Sequence, residues 1–277
     1  MSKTKYAQPQ GLELLTQVVE DVGPIFNIDQ ARAVAPALDI LPRRIPWLLS
    51  RLAAGGWIAR LKRGTYVAQS PLFSATIHPF AVAQALVAPL AISHWSALAH
   101  HGCTTQIPAM IQASTPRQVV TPQMRAGQAY SPRGRAVWSA LDMEFEFIQV
   151  QPAHFFGFQQ TWVDRWHRVA ITDRERTLLD MLVHPHVFGS LQVGIETLET
   201  QLAQLDLEKL VGYALRYDVG AVIKRLGWIL ESLGVPEHRL EPLAAYPTST
   251  YALLDRTGPP RGTAVARWNL YNNLTPG

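Results

Sequence analysis

The stretch RRIPWLLSRLAAGGWIARLKRGTYV, residues 43–67, constrains the fold more than any other part of the chain. Ile45, Leu48, Leu49 and Leu52 recur at i, i+3, i+4 and i+7, the stripe of a helix with one face in a core. Arg44, Trp47 and Arg51 fall on another face, with Arg43 and Ser50 beside them. Gly55-Gly56 ends this helix. Trp57–Leu61 and Thr65–Val67 then read as two strands joined by Lys62-Arg63-Gly64, where glycine supplies the positive φ of a tight turn. The stretch holds six Arg or Lys and no Asp or Glu. One face is therefore apolar, and the other, together with the hairpin tip, is basic.

Two helices are expected upstream. Leu15, Val18, Val19 and Val22 mark the inner face of one that runs from about Leu12 to Val22 and stops at Gly23-Pro24. The second starts near Asn27, with Gln30 three residues on as in a capping box, and ends at Pro36. The third begins between Pro42 and Pro46, since proline is tolerated only in a first turn. Three helices and a basic hairpin predict a winged helix-turn-helix over residues 1–70, a module that lays its third helix in the DNA major groove. Residues 71–277 read as a larger mixed α/β domain, giving a mixed α+β chain. Ser70–Ile77 is the expected linker. Helices are expected at 79–88 and 90–101, from Asp173 to about Val183, and near 191–204, 207–216 and 219–233. Strands are expected at 110–114, 145–150, 167–171, 251–254 and 264–270. Residues 115–135 form a loop or hairpin carrying Arg117, Arg125, Arg133 and Arg135.

The net charge of +4 is unevenly placed. Residues 1–75 carry nine Lys or Arg against five Asp or Glu, and residues 76–277 carry sixteen of each. The excess lies beside the helical motif, which favours a phosphate-facing surface. No apolar run approaches the roughly 18 residues of a membrane span. The first residues have two Lys but no apolar core behind them, so no signal peptide is expected. The single cysteine, Cys103, fits a reducing cytoplasm.

Several chemistries lack support. No GxxxxGKS/T, GxGxxG or GxSxG segment occurs. His94, His100, His101 and Cys103 are too few and too poorly spaced for zinc, so no metal or cofactor is expected. Thr172-Asp173-Arg174-Glu175 reads as a capping box rather than a catalytic pair, and Arg176 and Asp180 as a helix-face ion pair.

The candidate DNA-contacting residues follow from the two basic features. Arg43 and Arg44, in the first turn of the third helix, are placed for base edges; the alternative is that one of them merely pairs with Asp39 or faces solvent. Ser50 and Arg51 suit phosphates or flanking bases. Trp47 stacks on the backbone or packs on the rest of the protein, the second being preferred. Arg60, Lys62 and Arg63 at the hairpin suit phosphates.

Three segments together, LLSRLAAGGWIARLKRGTYV, AISHWSALAHHGCTTQIP and VAITDRERTLLDMLVHPHVFG, resemble the AbiEi family of antitoxins, of AbiE-type, type IV toxin–antitoxin systems. The resemblance covers roughly residues 15–190, and Asp173–Asp180 is its more specific part. It implies an N-terminal domain that binds operator DNA and represses its own operon. It also implies a C-terminal domain that counters a nucleotidyltransferase toxin without a stable complex between the two. No enzymatic activity is expected. The rival readings are a ligand-responsive transcription regulator without a toxin, and an enzyme targeted to DNA by the winged helix. Two copies on inverted half-sites would be the economical arrangement on duplex DNA.

Overall fold

The computed structural model describes residues 7–69, 77–127 and 135–274, with side chains from residue 10 onward. The linker expected at 70–77 lies outside them apart from Ile77, as does Arg133. The chain is mixed α/β and divides into two compact units. The first comprises residues 1–90, 117–149 and 160–170, and the second residues 91–116, 150–159 and 171–277.

The first unit opens with α1 (Ala7–Asp21), β1 (Ile25–Asn27), α2 (Ile28–Val34), α3 (Ile45–Ala54), β2 (Ile58–Lys62) and β3 (Thr65–Ala68). The strands form an antiparallel sheet in the order β1-β3-β2. The expected α2 capping box is present: Asn27 Oδ1 accepts from Gln30 N at 2.9 Å, and Gln30 Oε1 accepts from Asn27 N at 2.8 Å. The predicted stripe of α3 is buried, with Ile45, Leu48, Leu49 and Leu52 packing on Leu14, Leu15, Val18 and Ile58. Each such side chain contributes roughly 1.5–3 kcal/mol.

Two details differ from the expectation. Arg43 and Arg44 lie in a 3-10 turn, Pro42–Arg44, that leads into α3 rather than in its first α-turn. Strand β1 was not anticipated, because three residues after Gly23-Pro24 are too few for an alternation to register. It pairs Ile25 with Val67 and Asn27 with Thr65, so the last residue of the strand is also the cap of α2.

The first unit continues with α4 (Pro79–Leu86). Strand pairs on either side of the unit boundary include β4 (Ala91–Ile92) with β5 (Ile111–Thr115) in the second unit. The short α6 (Pro122–Arg125) is in the first unit, as is the hairpin of β6 (Arg135–Ala140) and β7 (Met143–Gln149). Arg135, expected on a basic loop, is instead a strand residue whose guanidinium pairs with Glu146 at 2.8 Å. Strand β8 (Phe158–Trp162) was likewise unanticipated, and β9 (Arg168–Thr172) appears where a strand was expected.

In the second unit the helix expected at 90–101 is replaced by β4 and a shorter α5 (His94–His100). Ile92 pairs with Ile171 of β9, and Ser93 is extended. Then come α7 (Arg174–Val183), α8 (Leu191–Gln201), α9 (Leu207–Tyr217), α10 (Gly220–Ser232) and α11 (Glu237–Ala244), the last not anticipated. The chain ends in a small sheet of β10 (Ala252–Leu253), β11 (Thr263–Val265) and β12 (Leu270–Asn272), ordered β10-β12-β11. Leu178, Leu182, Leu210, Ile223, Leu226 and Trp268 anchor this unit's core.

Candidate nucleic-acid interface

Helix α3 presents two faces of opposite character. Its four aliphatic residues are buried, which turns Trp47, Ser50 and Arg51 outward; these three are exposed, as are Arg43 and Arg44 in the 3-10 turn just before it. No ion pair joins Arg43 or Arg44 to Asp39 among the described residues. The Arg44 guanidinium lies 5.9 Å from the centre of the Trp47 ring, a cation–π approach along the outer surface. Trp47 is 45% exposed. These five residues therefore share one basic, open surface on α3 and the turn before it.

The hairpin is less uniform. Gly64 takes φ +76, the left-handed conformation that a side chain resists, and its carbonyl accepts from Ile28 N at 2.9 Å. The turn is thereby fixed to the start of α2. A bulge between Arg60 and Lys62 reorients the tip. Arg60 and Arg63 are exposed, and Arg60 Nε approaches Lys62 O at 3.4 Å. Lys62 points elsewhere: its Nζ donates to Leu86 O at 3.0 Å, at the C-terminal end of α4. There the ammonium meets the negative end of the helix dipole. Burial lowers its pKa. The exposed basic surface of the hairpin thus consists of Arg60 and Arg63, with Lys62 turned away.

The DRERTLLD segment differs from its expected role. The N-cap of α7 is Asp173, whose Oδ1 accepts from Arg176 N at 2.9 Å. Thr172 Oγ1 donates to Ile92 O, and Glu175 reaches across to Lys209 Nζ at 2.9 Å and Asp206 N at 3.1 Å, so the Thr172–Glu175 capping box is not formed. The Arg176–Asp180 pair is buried rather than exposed, with side chains 3% and 2% accessible. Arg176 also donates to His154 O and Phe156 O. Burial on its own raises the Glu175 pKa, but the bonds from Lys209 and Asp206 outweigh it and hold the carboxylate below its usual range. For Lys209 burial acts downward, and its two carboxylate partners raise it. Tyr213 donates to Asp173 Oδ2 at 2.7 Å; burial and that bond push its phenol to about 12. Asp173 and Glu175 are thus committed to internal partners that join α7 to α9.

The histidines near α5 are also used internally. His101 Nε2 is 2.7 Å from Thr172 O, and His94 Nδ1 is 2.7 Å from Ser93 Oγ. Burial raises the Cys103 thiol, with Arg174 opposing. Among the described residues no group of three or more His, Cys, Asp or Glu is placed to hold a metal ion. No helix among them is long and apolar enough to cross a membrane.

No family model matches the chain, and no curated protein matches it in sequence. Among solved structures it is similar to the crystal structure of the RV2827C protein from Mycobacterium tuberculosis. The TM-score is 0.61 over 93% of this chain and 90% of that one, at 16% sequence identity. At that identity the likeness speaks for a shared fold alone.

Periodicity in the sequence identified Trp47, Ser50 and Arg51 as outward on α3, where Pro46 and Ala54 are exposed as well, and placed Arg43 and Arg44 in a first helical turn that is a 3-10 turn instead. It missed that Lys62 is spent on α4, because its partner is a backbone carbonyl twenty-four residues away that carries no side-chain signature. It also missed β1, although Ile25-Phe26 between Pro24 and Asn27 is a short apolar β-type signal.

Proposed function

We propose that this chain is a DNA-binding transcriptional repressor whose first 70 residues act as a winged helix-turn-helix. In this reading α3 enters the major groove and the β2–β3 turn is the wing. The observation that carries it is the exposed surface of Trp47, Ser50 and Arg51 on a helix whose other face is fully buried, continued by exposed Arg43 and Arg44 in the 3-10 turn that leads into it. The element order α1-β1-α2-α3-β2-β3 and the sheet order β1-β3-β2 agree with it. Arg43 and Arg44 contact base edges. Ser50, Arg51, Arg60 and Arg63 contact phosphates, and Trp47 lies against the sugar–phosphate backbone with Arg44 stacked on it. Two copies read inverted half-sites.

Through its resemblance to the AbiEi family, the chain serves as the antitoxin of an AbiE-like type IV system in the cytoplasm. Residues 71–277 counter a nucleotidyltransferase toxin without a stable complex and without catalysis by this chain. Two experiments test the two halves of the reading. Anisotropy titration of the full chain against a labelled duplex from upstream of its own gene is expected to give salt-dependent binding that Arg43→Ala with Arg44→Ala relaxes toward the non-specific level. Equal affinity for that duplex and a scrambled one refutes sequence recognition. Growth arrest on expressing the neighbouring gene, relieved by this chain and by a variant lacking the basic α3 face, is the expected antitoxin result. Unrelieved arrest refutes that role.

A further inference from the structure

Behind the turn that carries Arg63 lies a cavity of about 440 Å³, within the size range of small-molecule sites. It is bounded by β1, the start of α2, the strands β2 and β3, helix α4 and residues 166–168, all within the first compact unit. Three basic side chains line it, Lys62, His167 and Arg168, and no Asp or Glu does. Trp166 contributes aromatic wall and Gln84 an amide, while the Phe26 ring, 2% exposed, belongs to the core behind them.

Of the three basic side chains, Lys62 and Arg168 have no carboxylate partner among the described residues, whereas His167 pairs with Asp164. Lys62 gives its ammonium to the neutral Leu86 carbonyl and makes no ion pair among the described residues. Arg168 is exposed and likewise makes none. His167 is held through Nδ1 by Asp164 at 2.8 Å, while its Nε2 is buried with no hydrogen-bond partner among the described residues. Asp164, the partner of His167, is outside the lining and already accepts from His167 and from the amides of Trp166 and His167. A concave space with two cations that lack a carboxylate partner, beside the Trp166 ring, is built for an anion with an apolar body.

We infer that this cavity binds a small organic anion, a carboxylate on a compact aromatic body. Lys62 and Arg168 hold the charged group, and the body rests against Trp166. Occupancy reaches the DNA-reading surface because the walls adjoin it in the chain. Lys62 enters the wing turn and Thr65 leaves it, and Asn27 and Gln30 are the capping box of α2. A carboxylate competes with Leu86 O for the Lys62 ammonium and loosens the tie between wing and α4. That coupling rests on the DNA-binding reading above; the site itself does not.

The test titrates the full chain with benzoate, with benzamide as the uncharged analogue, and with inorganic phosphate as the bare anion, read by calorimetry and thermal unfolding. Saturable benzoate binding is expected, at least about tenfold tighter than either comparison ligand. Arg168→Gln is expected to weaken benzoate about tenfold or more while leaving duplex affinity unchanged without ligand. Saturating benzoate is then expected to alter duplex affinity of the wild-type chain about threefold or more. No benzoate binding, equal binding of benzamide or phosphate, or benzoate affinity unaffected by Arg168→Gln overturns the site. Benzoate bound with duplex affinity unchanged overturns the coupling. Benzoate bound by a chain that binds no duplex leaves the site standing and sinks the DNA reading instead.

Discussion

Lys62 and Arg63 are neighbours at the β2–β3 turn, and the structure separates their surroundings sharply enough to measure. From sequence alone both are phosphate-contacting cations, so replacing both would lower the salt dependence of duplex binding by about two phosphates' worth. In the structure Arg63 is exposed, whereas Lys62 donates at 3.0 Å to the last carbonyl of α4 and is desolvated there. Reaching a phosphate would cost Lys62 a charged hydrogen bond of about 1.5–3 kcal/mol, comparable to what the contact returns. Arg63 has no such cost. Arg63→Ala is therefore expected to reduce the slope of log K against log salt by about 0.9. Its defect relative to wild type then shrinks about 3.5-fold between roughly 50 and 200 mM salt. Lys62→Ala is expected to leave the slope within about 0.3 of wild type and to show instead as a loss of stability, since a carbonyl of α4 loses its donor. Anisotropy titrations of a labelled upstream duplex at four salt concentrations, with urea unfolding of each variant, measure both quantities. Equal slope changes for the two single variants would refute the assignment of Lys62 to α4.

Other perturbations follow from the packing. Arg176→Met leaves the Asp180 carboxylate, 1% exposed, without its ionic partner, and a loss of about 3–5 kcal/mol in urea unfolding is expected; a loss below about 1 kcal/mol would contradict burial of the pair. Gly227→Ala places a Cβ 2.0 Å from the ring of fully buried Trp268, so the variant is expected to be destabilised by at least about 1–3 kcal/mol, and an unchanged melting temperature would show that α10 does not pack this closely. Acid should destabilise the chain in two stages. Burial lowers His78 and His154 below their ordinary 6.5, so the unfolded chain binds more protons there and stability falls as pH drops below about 6.5. Glu175, held below 4.5 by Lys209 and Asp206 against the opposing effect of burial, contributes stability that is present above that value and lost as pH falls through its depressed folded pKa. Urea midpoints at about pH 7.5, 5.5 and 4 that do not decline in this order would contradict these assignments.

What the sequence by itself determined is whatever repeats over one or two helical turns. The stripe Ile45–Leu48–Leu49–Leu52 gave α3 its inner face, and so named Trp47, Ser50 and Arg51 on its outer face before any tertiary contact was known. The Asn27–Gln30 box and the glycine of the β2–β3 turn are equally local, because their partners lie within three residues or in the backbone torsion itself. Tertiary structure alone decided the fate of charged residues whose partners are distant in sequence. Lys62 went to Leu86, Arg135 to Glu146 and Glu175 to Lys209, and the DRERTLLD carboxylates became ties between α7 and α9. It also decided the short strands β1 and β4, whose two or three residues carry too little alternation to declare themselves and exist only because neighbouring strands complete their hydrogen bonds. Periodicity reports which side of an element faces inward; a hydrogen bond or ion pair between remote segments depends on the three-dimensional path that brings them together, and no local pattern encodes it.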